Sequence, residues 1–271
     1  MSLPAYTPPM LIEWLRIVSV LVAGAVFWLA YIDLKDRARP EPRVRILMSF
    51  LLGMAAAGIS LGAFQLLRSS GIGLETADGL LGQALFCVLG IGGVEEGAKF
   101  LVFFLFVRRW SECDEPIDGF VYAGTIGCGF ATLENMLHLP SAAVTEQLAR
   151  VAVLPITHAL FSSIWGLGFM RPGRGVGLIL GSLLGAMALH GLYDFIVLPL
   201  AFPVAGSIVI LVIWVVVLMW VRSVSPVPSQ AGPGRSTSRF LLTAAIIVVG
   251  VMIYAGIQPR SPIAPQIWVA D

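Results

Sequence analysis

Two adjacent glutamates, Glu95 and Glu96, lie inside an apolar stretch, residues 80–107, that otherwise reads as a membrane-spanning helix. A carboxylate in hydrocarbon costs a few kcal/mol (~2.5–3.5 for Asp at a helix centre), so such residues are rare unless something depends on them. Lys99 follows Glu95 by four residues and Glu96 by three, so one helical turn returns its ammonium to both carboxylates. Further along, Glu134, Asn135 and His138 end one apolar run, Thr157 and His158 sit within the next, and His190 and Asp194 end a third. His190 and Asp194 are one helical turn apart and share a face, as do Glu134 and His138.

Glutamates with two histidines and a further carboxylate are the parts for activating water, and the residues leave two routes open. In one, His158, His190 and Glu95 hold a zinc ion and a glutamate serves as general base. In the other there is no metal: a buried glutamate takes the proton of water, a histidine orients that water, and Asn135 or a histidine stabilises the oxyanion. Glu95 is the expected base, because Glu96 is equally placed to be held by Lys99, although adjacent helical positions diverge by only ~100°. Asp194 is expected to fix the tautomer of His190. Glu134 and Lys99 are supporting groups. There is no HExxH zincin motif and no Ser–Lys pair within the spans. Asp118 reads as a helix N-terminal cap rather than as a reacting group.

The elements that must position these residues are membrane helices. Of 271 residues, 58% are hydrophobic and 12% are charged, against ~25% charged in ordinary soluble domains. The fold class expected is all-α, a polytopic helix bundle of about eight spans: 11–32, 46–67, 81–107, 119–139, 149–170, 176–198, 204–221 and 240–257. The third is overlong, which predicts tilt or an interruption near Gly90, Gly92 and Gly93. The chain divides into residues 1–80 (two helices and a basic loop), 81–198 (the core with the polar residues) and 199–271 (two helices and a Pro/Gly/Ser linker). Cys87, Cys113 and Cys128 lack metal-knot spacing and read as packing residues.

Basic residues follow spans one (Lys35, Arg37, Arg39, Arg43, Arg45), three (Arg108, Arg109), five (Arg171, Arg174) and seven (Arg222, Arg235, Arg239). The positive-inside rule makes these connections cytoplasmic and puts both termini outside. At ~1.5 Å rise per residue, Glu134 then lies roughly 8 Å below the outer surface, His190 roughly 12 Å, His158 roughly 14 Å and Glu95 roughly 17–22 Å. One polar chamber open to the outer leaflet accommodates them. A net charge of +1 offers no basic surface for nucleic acid.

At these residues the chain resembles the PrsW family of intramembrane proteases, related to the CAAX-processing and bacteriocin-processing superfamily. The resemblance runs through EEGAK (95–99), DGFVYAG (118–124), GFATLEN (129–135), HALFS (158–162) and HGLYDF (190–195), and covers about residues 81–198. It implies hydrolysis of peptide bonds in or near a bacterial inner membrane, with single-span anti-sigma factors as one substrate class. It matches Glu95 and Glu96 to the family's glutamate pair, His158 and His190 to its histidines, and Asp194 to the acidic position after the second histidine. Enzymes of this kind are described both as metalloproteases and as glutamic proteases, so the resemblance leaves zinc and metal-free chemistry both open. One departure is His138, where the family commonly has Tyr. A proton-coupled transporter or channel would use the same intramembrane residues, but no inverted repeat or pair of broken helices supports it.

Overall fold

In the computed structural model, residues 10–33, 40–74, 76–138, 144–224 and 250 are described. They contain helices and no strands. In chain order these are α1 (Met10–Asp33), α2 (Arg43–Ser69), α3 (Gly79–Leu85), a π-helical segment (Phe86–Gly92), α4 (Gly93–Leu105), a 3₁₀ turn (Val107–Arg109), α5 (Pro116–His138), α6 (Val144–Met170), α7 (Val176–Val197) and α8 (Pro203–Val224). Each of the first seven expected spans falls on a helix or, for the third, on a helical series. The eighth, 240–257, lies outside the described residues save for residue 250. Among the described residues, three helical stretches are long and apolar enough to cross a membrane: Arg43–Ser69, Gln147–Met170 and Val176–Val197. Ile17–Ala30 and Ile208–Val221 are shorter apolar stretches.

The expected interruption of the third span is a π-helical segment immediately ahead of the glutamates. Such i→i+5 segments are rare and occur often at functional sites. Its glycine, Gly92, meets the α7 backbone so closely that a Cβ would fall on the carbonyl oxygen of Met187, and Gly191 stands in the same relation to Cys87 on the π segment. A pair of glycines therefore draws the α7 histidine against the glutamate helix.

At the centre of the bundle is α5, with every residue from Ile117 to Ala131 buried. It packs most extensively on α6 and next on α2. Between helices in lipid, close backbone approach through small residues supplies packing that the hydrophobic effect does not. A Cβ at Gly127 would lie 2.6 Å from the backbone of His158, so this glycine sets how near α6 brings that histidine. At the α5 N-terminus Pro116 occupies the first helical position, and Asp118 Oδ2 reaches back to accept from the backbone N–H of Glu115 at 2.6 Å and of Asp114 at 2.8 Å. The capping role expected of Asp118 is thus present. Trp28 Nε1 donates to the Ala152 carbonyl oxygen at 3.1 Å, tying α1 to α6.

The segments before α2 and before α5 meet at one end of the bundle. Arg45 Nε donates to Glu112 Oε1 at 2.9 Å, the Arg45 guanidinium stacks 4.7 Å from the Trp110 ring centroid, and the Tyr122 hydroxyl donates to the Glu41 carboxylate. The three cysteines are free thiols, with Cys87 and Cys128 buried.

Candidate active site

Four helices contribute to one buried polar centre. Glu95, Glu96 and Lys99 come from the first two turns of α4, Glu134 from the end of α5, His158 from the middle of α6, and His190 and Asp194 from the end of α7. Each of the α4 charges is at most 2% exposed, so each requires a partner.

Glu96 is saturated. Its Oε1 accepts from Lys99 Nζ at 2.7 Å and lies 3.0 Å from His190 Nδ1. Its Oε2 accepts from Trp165 Nε1 at 2.9 Å and from Ser162 Oγ at 3.2 Å. Four donors on one carboxylate occupy both of its oxygens and hold it in place. Glu95 is the opposite case: its Oε2 is buried with no hydrogen-bond partner. That oxygen is 3.5 Å from Lys99 Nζ, 3.7 Å from His190 Nε2 and 3.8 Å from His158 Nδ1. Two residues that the sequence could not separate are separated by their surroundings.

The hydrogen-bond partners assign the histidine tautomers. Lys99 has only donors, so His158 Nδ1, 2.7 Å from its Nζ, is an acceptor. The ring proton is then on Nε2, 3.0 Å from Glu134 Oε2. On His190, Nδ1–H donates to the Glu96 carboxylate, and Nε2 faces Glu95 Oε2 at 3.7 Å and Asp194 Oδ2 at 3.5 Å. The orienting carboxylate within hydrogen-bond distance of His190 is therefore Glu96, whereas sequence reasoning gave that place to Asp194. The two imidazoles meet edge to face with centroids 5.1 Å apart, and Phe161 stacks on His190 at 4.6 Å. Phe130 faces both His158 (5.1 Å) and the Lys99 ammonium (3.9 Å).

Asn135 is engaged elsewhere. Its Oδ1 accepts from Arg150 Nε at 3.2 Å, and its Nδ2 lies 3.5 Å from the Arg150 carbonyl oxygen. Arg150 Nη2 in turn donates to Glu134 Oε1 at 3.1 Å. His138, the departure from the family pattern, stands 4.0 Å from the same Glu134 oxygen. Sequence reasoning missed Arg150, which reads as a charge at a span end. It also missed Trp165 and the hydroxyl of Ser162. The last two were within reach: they follow His158 by seven and four residues, on its own helix face.

Glu95, His158 and His190 offer ligand atoms within 4.8 Å of one another. Two histidines and a glutamate with an open position are a known catalytic zinc donor set. The Glu95 Oε2 oxygen, which has no hydrogen bond, and His190 Nε2 facing it are two ligand atoms suited to a metal, whereas the third, His158 Nδ1, is held by the Lys99 ammonium at 2.7 Å. Charge points the same way. Four carboxylates (Glu95, Glu96, Glu134, Asp194) face two fixed cations (Lys99, Arg150), leaving an excess of two negative charges for bound cations or protons to balance.

A bundle of apolar helices enclosing a Glu/His centre fitted to polarise water has the makings of a membrane-embedded hydrolase. The chain belongs to the PrsW family: residues 41–221 match its model, described as PrsW family intramembrane metalloprotease. The match extends beyond 81–198 on both sides, taking in α2 and most of α8. The chain is 36% identical over 188 residues to Protease PrsW of Geobacillus kaustophilus, covering 67% of this chain and 80% of that protein. It is 33% identical over 191 residues to Protease PrsW of Bacillus subtilis (68% and 84%). With Protease PrsW of Clostridioides difficile it shares 27% over 214 residues (75% and 85%). No solved structure matches. The chain is thus an integral membrane protein of a protease family, and nothing in its likenesses supports a transporter.

Proposed function

We propose that this protein hydrolyses a peptide bond of membrane-anchored, single-span proteins of the anti-sigma-factor kind, in a bacterial inner membrane, with Glu95 as general base. The observation that carries the reading is the contrast within the glutamate pair: Glu96 is held by four donors, while the Glu95 Oε2 oxygen is buried, unpartnered and within 4 Å of both histidines. Glu95 removes a proton from water as the water oxygen bonds to the scissile carbonyl carbon, and the carbonyl π pair moves onto its oxygen. Collapse re-forms the carbonyl and breaks the C–N bond, and the proton passes from Glu95 to the departing nitrogen. His190, fixed at Nδ1 by Glu96, and His158, fixed by Lys99 and Glu134, orient the water.

Glu95, His158 and His190 are the residues that would hold a zinc ion, and Glu95 would then be a ligand rather than the free base. Bound there, it would supply Lewis acidity and bring the pKa of a bound water to about 7. The excess of two negative charges favours this reading. A second, metal-free reading has its own support: the Lys99 ammonium lies 2.7 Å from His158 Nδ1, on the nitrogen that a metal would need. Metal content of the purified protein, paired with activity after chelation, separates the two.

The eight-span topology, with outer termini and a site open to the outer leaflet, belongs to the same proposal. It draws support from the contact of Arg45 with Glu112, which joins two connections that the charge pattern puts on one side. The test of function is co-expression with a tagged single-span substrate. Cleavage is expected with the unmodified protein and is expected to stop in Glu95→Gln and His158→Ala; persistence in both would remove these residues from the reaction.

A further inference from the structure

Attack on a peptide carbonyl puts negative charge on its oxygen, and a site that accelerates the step must place hydrogen-bond donors there. The space beside Glu95 is a poor one in this respect. A cavity of about 70 Å³ is bordered by three carboxylates (Glu95, Glu134 and Asp194), by His158 and His190, and by Thr157 and Tyr193, of which Thr157 Oγ1 already donates to the Val153 carbonyl oxygen at 3.0 Å. The cavity is large enough to admit water, and the groups on its wall face one another across it. The Lys99 ammonium is already divided between Glu96, Glu95 and His158.

Among the described residues on that wall, Arg150 is the one with a permanent positive charge. Its guanidinium is fixed from two directions, by Asn135 Oδ1 on Nε and by Glu134 Oε1 on Nη2. These contacts use two of the five N–H donors of an arginine, and the side chain keeps 18% exposure. The guanidinium is therefore held in place through Nε and Nη2, with three N–H donors not used by these contacts, in a residue that lines the cavity. A cation that served only to neutralise Glu134 would need neither the Asn135 contact nor a place on the cavity wall.

We propose that Arg150 donates from its remaining N–H groups to the carbonyl oxygen of the scissile peptide, and more strongly as that oxygen becomes an oxyanion. Asn135 is then a positioning residue, acting through the guanidinium it holds. The inference rests on the hydrolase reading, but its test is separate from turnover.

The experiment uses the full-length protein in lipid nanodiscs. Two probes are titrated: a capped apolar tetrapeptide, and the same peptide with its central amide replaced by a phosphinate, an anionic tetrahedral mimic. The unmodified protein is expected to bind the phosphinate at least 100-fold more tightly, the low end for transition-state analogues. Arg150→Gln is expected to cut that preference at least tenfold, and Arg150→Lys, which keeps the charge but loses the fork, to fall between. Melting temperature reports folding of each variant. The double variant Arg150→Gln with Glu134→Gln separates the alternatives: it stays defective if Arg150 binds the oxyanion, and recovers if Arg150 only balances Glu134. Absence of a phosphinate preference in the unmodified protein, a preference that survives Arg150→Gln, or recovery in the double variant overturns the proposal. An Arg150-dependent preference in a protein that cleaves no single-span substrate would leave this assignment standing and remove the hydrolase reading.

Discussion

Lys99 Nζ lies 2.7 Å from His158 Nδ1 and 2.7 Å from Glu96 Oε1, so a single ammonium on α4 locks the tautomer of a histidine on α6 while it neutralises its own neighbour. Glu96 passes the constraint on to His190 at 3.0 Å. Three helices are thereby joined through one buried cation. The consequence is that the Glu95 oxygen, which has no hydrogen bond, faces two rings whose orientations are already decided.

The glutamates should separate experimentally. Glu95→Gln is expected to abolish cleavage while retaining the fold, since its Oε2 has no hydrogen bond to lose. Glu96→Ala is expected to lose cleavage and about 3–5 kcal/mol of stability, the cost of leaving a buried partner charge alone. Thermal unfolding in detergent, run beside a cleavage assay, reads both. Equal destabilisation by the two substitutions would contradict the distinction.

Removing the ammonium should expose the metal question directly. Lys99→Met frees His158 Nδ1 and raises the negative excess, so zinc affinity is expected to rise by at least tenfold as stability falls. Competition against a chromophoric chelator measures the affinity. No change would mean that Lys99 does not compete for the nitrogen that the metal needs.

Gly127→Ala should act on the site without touching a polar group. The added methyl meets the His158 backbone at 2.6 Å, and overpacking of this kind costs typically ~1–3 kcal/mol. A lowered melting temperature with loss of cleavage is expected. Normal activity in a normally melting variant would show that α5 and α6 can part there without moving His158.

Outside the membrane, the Arg45 hydrogen bond holds the Glu112 carboxyl below its ordinary range. A depressed carboxyl pKa contributes stability that is present above the unfolded-state value and is lost as pH falls through the folded-state value. Glu112 is half-buried at the surface, so the effect is local. Protection of residues 107–116 against hydrogen exchange, taken relative to the intrinsic rate at each pH, is expected to fall as the medium is acidified below the ordinary glutamate range, and to lose this pH dependence in Glu112→Gln. Identical acid profiles in the two proteins would sever the link.

Much was legible in the chain itself. Apolar run lengths fixed the helical class and the positions of the first seven expected helices, because a span must satisfy its backbone internally and so announces itself by composition. The break in the third expected span was legible in its glycines, and the Lys99 contacts in the i+3 and i+4 spacing. The EEGAK, HALFS and HGLYDF segments pointed to one family. Spacing along a helix says which residues share a face of that helix, but nothing about which atoms of different helices meet. Only the tertiary structure brings Trp165 and Ser162 onto Glu96, leaves Glu95 bare, gives His190 Nδ1 to Glu96, and ties Asn135 to Arg150. Those contacts depend on how closely the helix backbones approach at Gly92, Gly127 and Gly191 and on how each helix is turned, and both are set by packing across the bundle.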